Sequence, residues 1–156
     1  MNRFLICLFA IFMVSSYAQC PKPTKIVKAQ AKSRGFAINS QSRTGYLRIG
    51  EIFETVVVAQ GGNDYKISIV QDDPQKGNLV YELYENVVKK TTVKGKTQYK
   101  KTKEVLFSSK EEESIEFRTD QTRKIHIKVM IEGENDDALD CVAILIETKR
   151  SAKIGF

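Results

Sequence analysis

The stretch R-K-I-H-I-K-V-M-I, residues 123–131, decides the fold class, because large aliphatic residues recur in it at every second position. The aliphatic positions are Ile125, Ile127, Val129 and Ile131, and the positions between them hold Lys124, His126, Lys128 and Met130. Successive side chains of a β-strand point to opposite faces of a sheet. The alternation therefore predicts a strand with one face in a hydrophobic core and the other towards solvent.

The same period of two appears in other runs of the chain. Y-K-I-S-I-V at 65–70 and S-I-E-F-R-T at 114–119 alternate in this way. Between such runs lie segments rich in the residues that tight turns require: G-G-N-D (61–64), D-D-P-Q-K-G-N (72–78), K-G-K (94–96) and E-G-E-N-D-D (132–137). The pattern predicts strands near 36–39, 45–49, 52–59, 65–71, 79–84, 87–93, 97–107, 114–119, 123–131 and 141–148. Since no run has the length and pattern of a crossover helix, we expect an all-β, antiparallel, jelly-roll-like sandwich of about eight to ten strands.

The N-terminus has the three-part layout of a secretory signal. Arg3 precedes an apolar run at residues 4–14, and the small residues Ser16 and Ala18 place a cleavage point between Ala18 and Gln19. The run is too short to cross a bilayer, which needs about 20 residues. A lipoprotein signal is an alternative, but it would have a small residue where Gln19 precedes the cysteine. We therefore expect an exported protein, periplasmic or extracellular, with no transmembrane segment in its mature form.

The sequence divides into four parts, with no internal repeat or composition shift to indicate a second large domain. We predict a signal peptide at 1–18, an N-terminal segment at 19–44, a β-sandwich domain at 45–150 and a C-terminal tail at 151–156. Within the N-terminal segment, residues 25–34 follow Thr24, a residue suited to an N-cap, and precede Gly35, a residue suited to a helix C-terminus. We expect a short amphipathic helix there.

Two cysteines, Cys20 and Cys141, remain after signal cleavage. An exported chain meets oxidising conditions, so the pair predicts a disulfide that closes a loop of about 120 residues. A bridge between two copies of the chain through Cys20 is left open, whereas the absence of a C-x-x-C motif argues against a redox role.

The last predicted strand, C-V-A-I-L-I-E-T (141–148), is apolar on both faces and must be covered on both. Either segment 25–34 covers the second face, or the strand is simply central in the core.

Two tracts carry a resemblance to a known family. I-E-F-R-T-D-Q-T-R-K-I-H-I-K-V (115–129) and the G-x-x-Y-x-I-x-I element from Gly62 to Ile69 resemble bacterial pre-peptidase C-terminal domains and related galactose-binding-like sandwiches. The whole is similar to short exported β-sandwich proteins of unknown function from Gram-negative bacteria. The resemblance covers about residues 45–148. It implies the fold and export, and it implies no activity.

The inventory of reactive residues argues against an enzyme. His126 is the only histidine, and the chain has neither an H-E-x-x-H motif nor a glycine-rich phosphate loop after a strand. We expect no catalytic residue and no cofactor. The acidic turn at 132–140 offers weak calcium candidates in Glu134, Asp136 and Asp137, although an ordinary solvated turn explains the same residues.

The most biased segment is V-V-K-K-T-T-V-K-G-K-T-Q-Y-K-K-T-K (87–103), which has no acidic residue. Its lysines are Lys89, Lys90, Lys94, Lys96, Lys100, Lys101 and Lys103. A basic hairpin of this kind could bind polyanions such as anionic glycans or lipid head groups. Nucleic acid fits less well, because the segment lacks arginine and only Tyr99 could stack on a base. The alternative is that the lysines solvate and protect an exposed sheet edge.

Carbohydrate binding through exposed aromatic rings is a further option, with Tyr84 and Tyr99 as the best exposed candidates. The alternative is that both tyrosines are cross-strand partners within the sheet. We therefore expect a binding or interaction module of the cell envelope or secreted space. The alternatives are a structural accessory subunit of the envelope and, least favoured, a hydrolase. The sequence does not define the partner or the oligomeric state.

Overall fold

The computed structural model describes residues 20–21, 25, 35–93, 96–109, 114–134 and 137–152. The predicted signal peptide, its cleavage point between Ala18 and Gln19, and the predicted helix at 25–34 apart from Lys25 lie outside the described residues. Within the described part the chain forms nine strands and one short 3₁₀ turn, Pro74–Lys76. The strands are β1 (Ala37–Ile38), β2 (Arg43–Arg48), β3 (Ile52–Ala59), β4 (Asn63–Gln71), β5 (Asn78–Val93), β6 (Lys96–Ser108), β7 (Ser114–Thr119), β8 (Arg123–Glu132) and β9 (Leu139–Arg150).

The expected all-β antiparallel architecture is confirmed, with two sheets. In the first sheet β9 pairs with β1 and β2 on one side and with β4 on the other, and β7 follows β4. The second sheet has the order β3-β8-β5-β6. The chain thus pairs from its two ends inwards: β2 with β9, β3 with β8, β4 with β7 and β5 with β6.

One element differs from the sequence prediction. The runs 79–84 and 87–93 were expected as two strands, but they form the single strand β5, Asn78–Val93. Glu85 and Asn86 interrupt the apolar pattern there, yet both stay in the ladder because β6 pairs with them through Glu104 and Lys103. The alternation of apolar side chains stops where β8 ceases to pair with β5, whereas the backbone pairing of β5 with β6 continues.

The core lies between the inner faces of the two sheets. The aliphatic residues of β8 are fully buried in it, as the alternation in 123–131 predicts: Ile125, Ile127, Val129 and Ile131. Two ring pairs stack within the same core, Tyr65 on Phe117 with centroids 5.4 Å apart and Tyr81 on Phe107 at 5.9 Å. Burying one large aliphatic side chain contributes about 1.5–3 kcal/mol, so these residues dominate the stability of the sandwich.

Strand β9 is central in the first sheet and buried on both faces. Val142, Ile144 and Ile146 lie in the core, while Cys141, Ala143 and Leu145 are buried on the opposite face. Cys141 forms the predicted disulfide with Cys20, and their Cα atoms are 5.6 Å apart. The central position agrees with one of the two sequence interpretations. The other, a cover formed by residues 25–34, falls on residues outside those described and stays a hypothesis.

A buried carboxylate organises the connection between β4 and β5. Asp140 is buried on β9, and its Oδ2 accepts a hydrogen bond from the backbone N–H of Asp73 at 3.1 Å. The ammonium of Lys76 lies 3.5 Å from Asp140 Oδ1. Within the connection, Asp73 Oδ1 accepts a hydrogen bond from the N–H of Gln75, which caps the 3₁₀ turn. The D-D-P-Q-K-G-N segment is therefore fastened to the end of β9.

On the edge strand β3, one residue has its backbone groups hydrogen-bonded by a side chain rather than by another strand. Gln41 Oε1 accepts a hydrogen bond from the N–H of Val58 at 2.9 Å, and Gln41 Nε2 donates to the carbonyl of Val58 at 3.1 Å. The side-chain amide thus satisfies both the N–H and the C=O of Val58 on the open edge. Unpaired edges recruit strands from other chains, so this contact discourages edge-to-edge association at that point.

Candidate binding surface

The longest strands extend beyond the body of the sandwich as a two-stranded ribbon. Pairing of β5 with β8 ends at Tyr84 and His126, whereas pairing of β5 with β6 continues from Glu85 and Glu104 to Val93 and Lys96. These nine residue pairs span about 30 Å at 3.3 Å per residue. The described side chains in 88–92 and 96–101 are all exposed. We call residues 85–93 and 96–104 the basic ribbon.

The register divides the described lysines of the basic ribbon between its two faces. On one face Lys90 lies directly opposite Tyr99, and Lys101 lies on the same strand two positions from Tyr99. We call this the tyrosine face. On the other face Lys89 lies directly opposite Lys100, with Lys96 four positions from Lys100 along β6. The lysine doublets of the sequence therefore place positive charge on both faces.

Two of the seven predicted lysines stand apart from this surface. Lys94 lies outside the described residues. Lys103 lies at the base of the basic ribbon, where its Nζ donates a hydrogen bond of 2.6 Å to Glu82 Oε2. The same ammonium is 4.1 Å from the centroid of the Tyr84 ring. Lys103 is thus engaged within the chain, and the described cations available to a partner are Lys89, Lys90, Lys96, Lys100 and Lys101.

A polar cluster lies where the basic ribbon leaves the second sheet. The rings of Tyr84 and His126 stack with centroids 4.8 Å apart. The Tyr84 hydroxyl donates a 2.6 Å hydrogen bond to Glu54 Oε1. His126 Nδ1 lies 3.1 Å from the same oxygen, and His126 Nε2 lies 3.0 Å from Asn86 Nδ2. The tautomer with the proton on Nδ1 satisfies both contacts, because Nδ1–H then donates to Glu54 and Nε2 accepts from Asn86.

Of the two alternatives for Tyr84, an exposed ring and a cross-strand partner, the structure shows the second. Its side chain is only 8% exposed, whereas Tyr99 is 71% exposed. Alternation along β5 places Tyr84 on the outer face of the sheet, but His126 and Lys103 cover its ring from neighbouring strands. Those cross-strand contacts depend on strand order, which a single sequence does not show. Of the two aromatic candidates for a sugar platform, only Tyr99 presents its ring to solvent.

The Tyr84–Glu54 contact shifts the pKa values of both groups. The hydrogen bond to Glu54 and burial raise the pKa of Tyr84 to about 12. The hydrogen bonds from Tyr84 and then from His126 lower the pKa of Glu54. The pair is therefore stable as a neutral phenol and an ionised carboxylate. Its contribution to folding is lost as pH falls through the lowered pKa of Glu54, and again as pH rises from about 10 to about 12.

Replacing Glu54 by glutamine is expected to lower the pKa of Tyr84 from about 12 towards the ordinary value of 10.0, because the hydrogen bond to the carboxylate, and with it the negative charge, no longer opposes phenolate formation. Tyrosine ring NMR signals followed between pH 9 and 13, assigned with a Tyr84→Phe variant, would measure the shift. Glu51→Gln removes an exposed carboxylate elsewhere and serves as the charge-matched control. A Tyr84 pKa that stays near 12 in the Glu54→Gln variant would contradict the role given to this hydrogen bond.

A second ionic cluster fastens the end of β9. Asp64 Oδ1 accepts hydrogen bonds from Ser151 Oγ at 2.6 Å and from Arg118 Nε at 2.9 Å. These two bonds lower the pKa of Asp64, with the Ser151 contact the larger cause. Lys149 also lies over the ring of Phe36 at 4.4 Å. Because Arg118 of β7 and Lys149 of β9 both contact the single carboxylate of Asp64 on β4, the cluster attaches these three strands to one another.

The calcium candidates are not gathered into a site by the residues that the structure describes. Among those residues no group of three or more histidine, cysteine or acidic side chains could hold a metal ion. Glu134 is exposed, Asp136 is not described, and Asp137 Oδ1 lies 3.3 Å from Arg48 Nη1. Calcium binding by these acids stays a prediction.

No helix within the described ranges is long and apolar enough to cross a membrane.

A small apolar crevice opens between β2, β3 and β9. Its volume is about 120 Å³, and Leu47, Phe53, Val142 and Ile144 contribute its apolar walls. Pockets for small-molecule ligands usually enclose about 300–1,000 Å³. The crevice is therefore a gap between the two sheets at their edge, smaller than such a pocket.

Fold and surface together define a disulfide-linked, two-sheet antiparallel β-sandwich with a projecting basic ribbon. No family model, curated protein or solved structure matches the chain. What the structure shows of the resemblance to pre-peptidase C-terminal and galactose-binding-like domains is the two-sheet, all-β antiparallel architecture.

Proposed function

We propose that the protein is an exported, non-enzymatic binding module of the cell envelope or secreted space, and that its basic ribbon binds a polyanion. The observation that carries the proposal is the exposure of Lys89, Lys90, Lys96, Lys100 and Lys101 on a projecting ribbon. No acidic residue occurs in 87–103 to neutralise them. Such a surface raises the local concentration of anions and binds them by displacing counterions.

The strand pairing supports a jelly roll as the architecture of this module. A jelly roll is an eight-stranded, double-sheet arrangement of two Greek keys. The order β2-β9-β4-β7 facing β3-β8-β5-β6 has this form, with β1 as an addition beside β9. Jelly rolls include lectin and capsid domains, although a fold by itself does not define a function.

Two further observations support export without catalysis. The Cys20–Cys141 disulfide suits an oxidising compartment, which is where the predicted signal peptide would direct the chain. His126 has both ring nitrogens engaged, by Glu54 and by Asn86, so neither nitrogen is available to take a proton from a substrate. The Glu54–His126–Tyr84 cluster is therefore better suited to holding the base of the ribbon than to general base catalysis.

A structural accessory role is the second candidate, favoured by the open edges of the basic ribbon. β6 is the edge of its sheet, and β5 has no partner other than β6 beyond Tyr84 among the described residues. Lysines on open edges discourage aggregation. In that case the lysines keep the protein soluble and bind nothing.

Affinity chromatography on heparin distinguishes the two candidates. We expect the protein to stay bound above about 0.5 M NaCl, where screening removes diffuse charge attraction. Replacing Lys89, Lys90, Lys100 and Lys101 by glutamine is expected to bring elution down to about physiological salt. The matched control replaces four exposed cations outside the ribbon, Lys25, Arg48, Lys124 and Arg150, and should elute close to the unmodified protein.

Elution of the unmodified protein near physiological salt would exclude the binding proposal and favour the accessory role. Equal shifts in the ribbon variant and in its charge-matched control would also contradict it, because the retention would then follow net charge and not the ribbon.

A further inference from the structure

We propose that the tyrosine face of the basic ribbon is a binding site for an anionic polysaccharide, with the ring of Tyr99 as the platform for a sugar unit and Lys90 and Lys101 as the partners of its acidic groups. The inference rests on the proposed function and specifies both the face and the class of ligand. It is carried by the position of one exposed ring next to two lysines on the same face of the ribbon, one on the neighbouring strand and one on its own strand.

The register sets the distances on this face. Lys90 is directly opposite Tyr99, where Cβ atoms of an antiparallel pair are about 4.5–5.5 Å apart. Lys101 is two residues further along β6, about 7 Å from Tyr99. Opposite Lys101 is Val88, which is exposed and apolar. The face therefore offers one cation across the ladder from the ring, a second cation along the same strand and an apolar contact at the diagonal position.

The exposure of Tyr99 is unusual for so large a ring. The ring is 71% exposed, and among the described residues no ring stacking, cation–π contact or hydrogen bond engages it. The other large aromatics of β5 and β6 all pack: Tyr81 on Phe107, and Tyr84 on His126. Tyrosine combines an apolar face with a polar tip, which suits contact with a partner that is apolar on one side and hydrated on the other.

A sugar ring in an acidic polysaccharide has that character. Its C–H faces pack on an aromatic ring, while its hydroxyl groups remain hydrated and its carboxylate or sulfate groups seek cations. Lysine suits such ligands as a flexible point charge that needs no fixed fork geometry. Nucleic acid would require successive aromatic rings for successive bases, and the basic ribbon has one ring and no arginine. The chemistry of this face therefore favours a glycan.

The opposite face has charge without a platform. Lys89 and Lys100 are directly opposite one another, and Lys96 lies on the same side. Like charges at directly opposed positions destabilise a strand pair. An anion near Lys89 and Lys100 would be attracted by both, but the ring of Tyr99 is on the other face and cannot orient it. The two faces thus provide a matched pair of variants with the same loss of charge.

The experiment compares Lys90→Gln/Lys101→Gln with Lys89→Gln/Lys100→Gln, together with Tyr99→Ala. The probes are an oligogalacturonate and an inorganic polyphosphate of equal charge, titrated calorimetrically at 0.15 M NaCl. We expect Lys90→Gln/Lys101→Gln to weaken oligogalacturonate binding at least about tenfold, and Lys89→Gln/Lys100→Gln only about two- to threefold. Tyr99→Ala should cost about tenfold with oligogalacturonate and little with polyphosphate, which has no ring to stack.

Because all five side chains are exposed, each variant should keep the melting temperature of the unmodified protein, which verifies that folding is unaffected. Equal losses in the two double variants, or an equal effect of Tyr99→Ala on both probes, would overturn the tyrosine-face site. Those results would leave the polyanion proposal standing if the four-lysine variant still loses binding. Tighter binding to single-stranded DNA or to anionic vesicles than to the oligosaccharide would overturn the assignment of the ligand class.

Discussion

Replacing Cys20 and Cys141 together by alanine is expected to lower the free energy of unfolding by about 2–5 kcal/mol. The disulfide joins residues 121 positions apart, so its loss releases a very long loop in the unfolded chain. For a domain of this size each kcal/mol corresponds to about 3–4 °C, and we expect the melting temperature to fall by about 6–20 °C. Thermal and urea unfolding followed by circular dichroism would measure both quantities.

The single variant Cys20→Ala separates the covalent link from the packing of Cys141, whose side chain is buried on β9. Cys20→Ala removes the disulfide and keeps the sulfur of Cys141, so it should account for most of the decrease in the free energy of unfolding. Reducing agent should destabilise the unmodified protein by a similar amount and leave the double variant unchanged. A double variant as stable as the unmodified protein would show that the bridge constrains little.

Ile127→Ala is expected to destabilise the sandwich by about 2–5 kcal/mol, the usual range for truncating a buried aliphatic side chain. Ile127 is 0% exposed, and its strand β8 is paired on both sides, with Thr55 of β3 and Leu83 of β5 directly opposite it. Neighbours held in two ladders cannot move in to fill the space, so a cavity would remain. Urea unfolding gives the change directly.

Ile38→Ala is the matched control, because it is the same truncation at a side chain that is 58% exposed on β1. We expect a change within about 0.5 kcal/mol there. Similar losses at the two positions would mean that the inner face of β8 is not the core of the folded protein.

Strand positions could be predicted from the sequence because a strand with one buried and one exposed face has apolar and polar residues at alternate positions. The run 114–119 has the same limits in the sequence analysis and in β7, and 123–131 differs from β8 by one residue. Antiparallel pairing followed from the turn residues between the runs. The order of the strands could not be predicted, since the contact of β2 with β9 joins residues about 100 positions apart and leaves no local signal.

The candidate surface, too, could be predicted from the sequence only in part. A run of lysines without acids was visible in the sequence, and so was the hairpin that carries it. The separation of Lys103 from the other lysines depends on Glu82 and Tyr84, which reach it only through the pairing of β5 with β6. The single exposed ring of Tyr99, opposite Lys90, likewise depends on the register. Register is set by the whole ladder, so charge composition alone cannot assign residues to a face.

The Cys20–Cys141 bond has a mechanical consequence. If the chain is stretched between a point before Cys20 and a point after Arg150, the tension crosses from Cys20 to Cys141 through sulfur and bypasses residues 21–140. The strand that is pulled is β9, from Cys141 to its end, and that strand is held on both flanks by β2 and β4. The basic ribbon lies entirely within the bypassed stretch. A covalent link of this kind would therefore keep such tension out of the ribbon.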